Sequence, residues 1–246
     1  MPQNRYRYTS SSYLGYFPSG VKWLLIVNTV VFLISYIGGF GLQQHVSLLL
    51  GLSAETAVRN FMVWQVFTYM FVHFGTFHWL FNMLGLWFFG MPIEQAWGMR
   101  RFLKFYFLCG VAAGVCVLVA NMLFGGWGVT TIGASGAIFG VLVGFAVLFP
   151  DALIPLFIIF FPIKAKYAVS IFVAFELLAT FGPNTGVSTV AHLGGAAFAY
   201  LYLKQRIPAI NMPDFRGQYR QWKMQRAKKK FQVYMRKHDR GGPWVN

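Results

Sequence analysis

Long stretches without a charged residue are the feature of this 246-residue chain that most limits its fold. Several run for about 15 to 25 residues, the length that an α-helix needs to cross the hydrocarbon core of a bilayer. Charged residues make up 11% of the chain, against about 25% in soluble domains, so few are available to cover a water-facing surface. The sequence therefore predicts an all-α membrane protein. It excludes a disordered chain, a collagen-like repeat and a disulfide-stapled secreted domain.

The apolar stretches predict six transmembrane helices. We expect the spans at residues 22–40, 66–90, 102–124, 134–150, 165–181 and 187–204. The stretch 152–162 contains Pro155 and Pro162 and is too short to cross a bilayer. We therefore interpret it as an interfacial or partly buried connection.

The distribution of Lys and Arg supports this count and predicts the orientation. Twelve of the 21 Lys and Arg lie from Lys204 onward, and Arg59 is the one basic residue in the loops expected to face outward. Cytoplasmic loops carry the excess of Lys and Arg, so we expect both termini in the cytoplasm. This gives a cytoplasmic tail over residues 1–21, a membrane domain over 22–205 and a basic cytoplasmic tail over 206–246.

The basic tail has two interpretations. Its side chains suit the anionic lipids of an inner leaflet, to which each basic residue contributes about 1 kcal/mol of attraction. A solvated anchor that only fixes the topology explains the same charges equally well. The net charge of +15 would also suit nucleic acid, but because its excess is concentrated in this tail, we expect no nucleic-acid partner.

Polar side chains inside the predicted spans are few, and because each is costly in a bilayer, each is a functional candidate. They are His73, His78, Asn82, Ser135, Glu176 and His192. Counted from the inner ends of their spans at 1.5 Å per residue, His78 and His192 lie about 18 Å and Ser135 about 22 Å above those ends. Three helices thus place polar groups at a similar level in the outer half of the bilayer.

Small residues predict that two of these helices pack closely. Ser135 lies between Gly133 and Gly136, and His192 precedes Gly195. Small-residue faces let helix backbones approach, which would bring the hydroxyl and the imidazole into contact. Nucleophilic catalysis needs such a pair, because the imidazole takes the hydroxyl proton and returns it to the leaving group.

Groups that could stabilise a developing oxyanion lie near this pair. Ser135 opens its span, where the first backbone N–H groups of a helix are unpaired. His78 and Asn82 are four residues apart, so they share a helix face and can both donate hydrogen bonds. Each residue alone has a structural explanation, such as bonding to its own helix or joining two helices. Their combination at one level favours an active site.

Four motifs give the chain a resemblance to a known family. They are His78-x-x-x-Asn82, Gly133-x-Ser135-Gly136, Ala191-His192-x-x-Gly195 and Glu94-x-x-x-Gly98-x-x-Arg101-Phe102. With these motifs in the family's order over roughly residues 20–205, the chain resembles the rhomboid intramembrane serine proteases. The resemblance implies a six-transmembrane-helix rhomboid-like bundle that cleaves transmembrane segments of membrane proteins near the outer face. It also implies a multi-pass protein without a metal or organic cofactor, which we expect in the cell membrane.

The resemblance also implies a role for individual residues. Ser135 would be the nucleophile and His192 the base, in a dyad without a carboxylate. The oxyanion site would consist of His78, Asn82 and the backbone N–H of Ser135. Gly133 would shape the turn that leads into the nucleophile.

Three further positions have weaker expectations. His73 lies near the outer end of its span, where we expect a structural or water-holding role. For Glu176 we expect structural hydrogen bonding. The pair Trp64–Gln65 stands where the family usually has Trp-Arg, so the stability of this loop or the entry of substrate could differ.

Two other functions remain as alternatives. A catalytically inactive rhomboid-like protein would bind membrane clients, but such relatives lack the Ser or the His, and both are present here. A small transporter or channel would favour more intramembrane charge, whereas Glu176 is the one acidic residue that we expect well inside a span.

Overall fold

A computed structural model of the chain describes residues 17–154, 162–179 and 187–204. Most of the predicted N-terminal tail and the whole basic tail from residue 206 lie outside the described residues. So do residues 155–161 of the predicted connection and the last two residues of the predicted fifth span. The domain boundaries predicted above therefore stay predictions.

The described residues are mostly helical, as the sequence predicts. The helices are α1 (Ser19–Ile37), α2 (Gly39–Leu50), α3 (Gln65–Thr68), α4 (Thr76–Gly85), α5 (Met91–Trp97), α6 (Met99–Phe124), α7 (Ser135–Leu148), α8 (Ala165–Ala179) and α9 (Val187–Lys204). Single turns of π-helix lie at Glu55–Arg59 and Leu86–Gly90, and a 3₁₀ turn lies at Tyr69–Phe71. Two short strands, β1 (Leu153–Ile154) and β2 (Ile163–Lys164), pair antiparallel at the ends of the predicted connection.

The core is built around α7, which α6 and α9 contact. The residues of α7 between Gly136 and Phe145 are buried with the exception of Phe139, which is half-buried. A Cβ atom on Gly136 would lie 2.7 Å from the Cβ of Ala113, and one on Gly140 would lie 2.6 Å from the sulfur of Cys109. Since no carbon fits at these distances, glycine is what lets α6 and α7 approach this closely.

A buried carboxylate holds the start of α1. The backbone N–H groups of Gly20 and Val21 donate to the two carboxylate oxygens of Glu94, at 2.7 and 2.6 Å. These N–H groups belong to the first turn of a helix and have no partner within it. In the same motif, the guanidinium of Arg101 stacks on the ring of Trp97, 4.5 Å from its centre. The Glu94 motif therefore joins helices in the structure.

A helix that the sequence analysis did not predict, α2, follows α1. Its last three carbonyls each accept a hydrogen bond at 2.8 Å, from the indole of Trp64, the side-chain amide of Gln65 and the hydroxyl of Thr68. The oxygen of the fully buried Gln65 amide in turn accepts from the hydroxyl of Thr56 at 2.6 Å. At the position of the family's arginine, Gln65 therefore ties the end of α2 to the loop.

The predicted second span, 66–90, is wrong at both ends. Its helix begins at Thr76, after an extended segment that ends at Gly75, and it continues through α5 to Trp97. Gly75 has a φ of +85°, a conformation that glycine adopts at little cost and that breaks a helix. The break could not be predicted from composition, because a spanning helix and a buried loop are both apolar.

The other predicted spans agree with the helices to within a few residues over the described part of the chain. Among the described residues, α1 and α6 are long and apolar enough to cross a membrane, by length and composition, and α7 is a shorter apolar helix. The six-span count and the orientation of the termini stay predictions.

Candidate active site

A tight turn sets the position of Ser135, the first residue of α7. Gly133 has a φ of +109°, and its N–H donates to the carbonyl of Tyr69 at 2.9 Å. The N–H of Ala134 donates to Nε2 of His73 at 3.2 Å. Two backbone groups directly before the serine are therefore bonded to the segment that leads into α4. The buried imidazole of His73 thus contacts the turn before Ser135, and its predicted structural or water-holding role stays a prediction.

His78 lies against the same turn. A Cβ atom on Gly133 would lie 2.7 Å from Nε2 of His78, so any side chain there would displace the imidazole. The rings of His73 and His78 have their centres 5.2 Å apart. Glycine is therefore required at 133 for two reasons, its positive φ and the imidazole that packs on its Cα.

Asn82 lies one turn after His78 on α4 and is buried. Its side-chain NH₂ donates to the carbonyl of His78 at 2.7 Å. An amide NH₂ has two hydrogens, so one remains for another acceptor. The structure thus places His78 and Asn82 on one helix segment, as the spacing predicts.

His192 stacks on α7. Its ring lies parallel to that of Phe139, at an angle of 8° and with 4.2 Å between the centres. Phe139 follows Ser135 by four residues, so the two share a face of α7. The imidazole therefore lies on the helix face that also carries the serine. Within the described ranges, the Ser135 hydroxyl makes no hydrogen bond, to His192 or to any other residue.

The backbones of α7 and α9 approach closely at this level. A Cβ atom on Gly195 would overlap the carbonyl oxygen of Gly136, and one on Gly136 would lie 3.2 Å from the carbonyl oxygen of Ala191. Side chains larger than hydrogen would separate the two helices here. The small-residue faces identified in the sequence are thus the faces in contact.

A side chain of α8, Glu176, also lies beside the imidazole of His192. Its Nδ1 lies 3.1 Å from Oε1 of Glu176, the distance of an ion pair. The sequence analysis expected Glu176 to have a structural role and gave no carboxylate to the dyad. The structure places this carboxylate beside the histidine.

Two residues at the site were missed. Phe139 supports the ring of His192, and Tyr69 holds the turn at Gly133 while its hydroxyl donates to the carbonyl of Gly110 at 2.7 Å. The i, i+4 spacing of Phe139 from Ser135 could have indicated the first. Nothing in the sequence indicates the second, because its contacts are to backbone carbonyl and N–H groups.

Comparisons with known proteins match this chain to a described family. A family model described as the rhomboid domain matches residues 60–207. Rhomboid-like protease 3 of Toxoplasma gondii is 25% identical over 71% of this chain, and rhomboid protease GluP of Bacillus subtilis (strain 168) is 29% identical over 51%. Inactive RHOMBOID-like protein 8 of Arabidopsis thaliana is 30% identical over 37%. The aligned regions cover 64%, 24% and 25% of these three relatives.

Proposed function

Because the chain belongs to the rhomboid family, whose members are integral membrane proteins, we propose that it is an intramembrane serine endopeptidase. It cleaves transmembrane segments of other membrane proteins near the outer face. Two of the relatives that it resembles carry the name protease, which supports this class of reaction. Ser135 is the nucleophile and His192 is the general base.

One observation carries this assignment, the stack of His192 on Phe139, one turn along α7 from Ser135. It keeps the imidazole on the serine's side of α7. Since Nδ1 of His192 faces Glu176, the other ring nitrogen, Nε2, is left to receive the serine proton. Catalytic hydrogen bonds are often long or poorly aligned without substrate and tighten when it binds, and we propose that the Ser135–His192 pair forms in this way.

The reaction follows from these groups. The Ser135 oxygen attacks the scissile carbonyl carbon while Nε2 of His192 takes the hydroxyl proton. The C–N bond then breaks and His192 returns that proton to the leaving amine, which leaves an acyl-enzyme. Water attacks the acyl carbonyl with His192 again as base, and the serine and the new carboxyl end are released.

The negative oxygen formed in each attack lies at the start of α7. The first N–H groups of a helix and the positive end of its dipole stabilise such a charge. We assign the oxyanion site to His78, Asn82 and the backbone N–H of Ser135. Gly133 and His73 support it, because they fix the turn from which that N–H points.

The proposal includes six membrane spans, both termini in the cytoplasm and a location in the cell membrane. The lengths and apolar composition of α1 and α6 support two of these spans directly. The helix that runs from α4 into α5 offers a third of sufficient length. Anionic lipids are the proposed partners of the basic tail, and transmembrane proteins are the proposed substrates.

Cleavage in liposomes tests the function. The purified protein is reconstituted with a fluorophore-labelled transmembrane substrate, and we expect the wild type to cut it. Ser135→Ala and His192→Ala should each lower the rate by at least about 1000-fold, the range seen when members of a catalytic Ser–His unit are removed. Labelling by a fluorophosphonate should require both residues, because the hydroxyl is a weak nucleophile without its base.

Matched control variants are available for both changes. Ser170→Ala removes an exposed serine of α8 that bonds its own helix, and His45→Ala removes an exposed histidine of α2 that does the same. Both should cleave like the wild type. Cleavage that persists in Ser135→Ala would disprove the assignment. A wild-type protein that binds the substrate without cutting it would instead support the inactive, client-binding alternative.

A further inference from the structure

The contact between Glu176 and His192 joins two helices. Nδ1 of His192, on α9, and Oε1 of Glu176, on α8, lie 3.1 Å apart. The side chains are 16% and 25% exposed, so the carboxylate reaches in from a helix whose neighbouring residues Phe175 and Leu177 are mostly exposed. An acidic group so placed is costly in a bilayer, and such groups mark functional sites.

The ring of His192 contacts this carboxylate and stacks on the ring of Phe139. Its Nδ1 atom is buried, and within the described part of the chain it has no hydrogen bond of good geometry. The carboxylate is thus near enough to accept from Nδ1 after a small rotation of the ring. Buried ring nitrogens are nearly always hydrogen-bonded, so a bond to Glu176 is the state that this arrangement favours.

A carboxylate at Nδ1 selects one tautomer of the imidazole. It accepts the Nδ1 proton, which leaves Nε2 without one and able to act as a base. The opposite tautomer would present a proton to the serine and could not remove its hydroxyl proton. The carboxylate thus sets the ring in the form that the reaction needs.

Charge adds to this effect. When Nε2 takes the serine proton, the ring becomes positive, and a carboxylate 3.1 Å away compensates that charge. The compensation is larger at a partly buried site than in water. Among the residues that the structure describes, His78 on α4 also lies close enough to interact with His192, and an imidazole cannot supply a negative charge.

We propose that Glu176 is the third member of the catalytic unit, a positioning residue that holds His192 in its reactive tautomer and stabilises the imidazolium. The inference rests on the proposed function of Ser135 and His192. It departs from the carboxylate-free dyad that the family resemblance implies. Glu176 does not contact the substrate, so its effect reaches the reaction through the histidine.

Four proteins test the role of Glu176 in cleavage. Glu176→Gln keeps the size of the side chain and removes its charge, and Glu176→Asp keeps the charge on a shorter side chain. Glu55→Gln makes the same chemical change on a half-exposed carboxylate outside the site. The wild type completes the set. For each protein, kcat, KM and the rate of fluorophosphonate labelling are measured.

The expected loss is in kcat and in labelling. Replacing the orienting carboxylate of soluble serine proteases costs about 10⁴-fold; because Glu176 is partly exposed and imperfectly aligned, we expect roughly 10- to 100-fold for Glu176→Gln. KM should stay within about two-fold of the wild type, since substrate binding is unchanged. Glu176→Asp should recover part of the rate, and Glu55→Gln should lose none. If Glu176→Gln labels and cleaves within about two-fold of the wild type, Glu176 has no such role.

A spectroscopic readout separates this inference from the proposed function. The chain has five histidines, and ¹⁵N chemical shifts in histidine-labelled protein report the tautomer of each, with His192→Ala assigning the signal. We expect the Nδ1–H tautomer in the wild type and a mixture in Glu176→Gln. A tautomer that is the same in both would overturn the inference even if cleavage requires Ser135. Cleavage that does not require Ser135 would overturn the proposed function, whatever the tautomer.

Discussion

Replacing Gly195 with alanine tests whether the close approach of α7 and α9 is what brings the serine and the histidine together. A Cβ atom on Gly195 would overlap the carbonyl oxygen of Gly136. A carbon and a carbonyl oxygen rest about 3.3 Å apart, so the two helices would have to separate by more than about 1 Å at this level. The atom in the way belongs to the backbone of α7, so no side-chain rotation relieves the overlap.

The expected effect on stability is small. Overpacking a core costs about 1 to 3 kcal/mol, whereas alanine in place of a helical glycine gains about 1 kcal/mol. Gly195→Ala should therefore lower the free energy of unfolding by about 0 to 2 kcal/mol, and the protein should remain folded. Titration with a denaturing detergent in mixed micelles measures this difference.

The expected effect on activity is large. A displacement of about 1 Å between reacting groups can cost about 100-fold in rate. Gly195→Ala should therefore lower both substrate cleavage and fluorophosphonate labelling by roughly that factor. The contrast between a small loss of stability and a large loss of activity is the result that distinguishes misplacement from unfolding.

Gly41→Ala is the matched control. Gly41 lies in α2, and a Cβ atom there meets nothing within 4 Å, so the same chemical change should leave both stability and activity unchanged or slightly raised. A Gly195→Ala protein that is folded and labels at the wild-type rate would refute the reasoning, because the helix separation would then not control the pair.

Three further predictions concern the scaffold. Glu94→Gln removes a charged acceptor from the two N–H groups that begin α1. It should lower the free energy of unfolding by about 1.5 to 3 kcal/mol in the same detergent titration. An unchanged free energy of unfolding would show that water replaces the carboxylate. Gln65→Ala leaves one carbonyl at the end of α2 without its partner and removes the acceptor of the Thr56 hydroxyl, which keeps its bond to Ser53. It should cost about 1 to 3 kcal/mol, whereas equal stability would mean that the loop is held by other contacts. Hydrogen bonds from Lys166 and Lys164 hold the pKa of the exposed Asp151 below its usual value, so its small stabilising contribution is present near neutral pH and is lost as the pH falls below about 4. Stability measured against pH should therefore decline less in Asp151→Asn, and parallel curves for the two proteins would contradict this.

Helices that consist of a long apolar stretch containing small residues could be predicted from the sequence. α6, α7 and α9 agree with the predicted spans to within a few residues, because a chain without charged residues in a bilayer has few alternatives to a helix. The pairing of α7 with α9 was also predictable. Gly136 and Gly195 have no side chain, so the backbones of α7 and α9 can approach closely, and they do so in the structure.

The break before α4 and the contact at Glu176 were not predictable in the same way. Residues 72–75 lie within a long uncharged stretch, and the positive φ of Gly75 is seen only in the structure. Glu176 lies on a different helix from His192, and a contact between two helices depends on the angle and rotation at which they pack. Periodicity along one helix carries no information on that angle.

His78 and Ser135 come together for a different reason from the equal distances to the helix ends on which the sequence argument relied. From His78 to the end of its helix at Trp97 is about 28 Å, whereas from Ser135 to the end of its helix at Leu148 is about 20 Å, so the two lengths do not match. What the two residues share is their position at the start of a helix, because each lies in the first turn. The starts of α4 and α7 converge at Gly133, and their unpaired N–H groups and dipoles favour negative charge in the same place. The glycines that start these helices therefore control the site more directly than the helix lengths do.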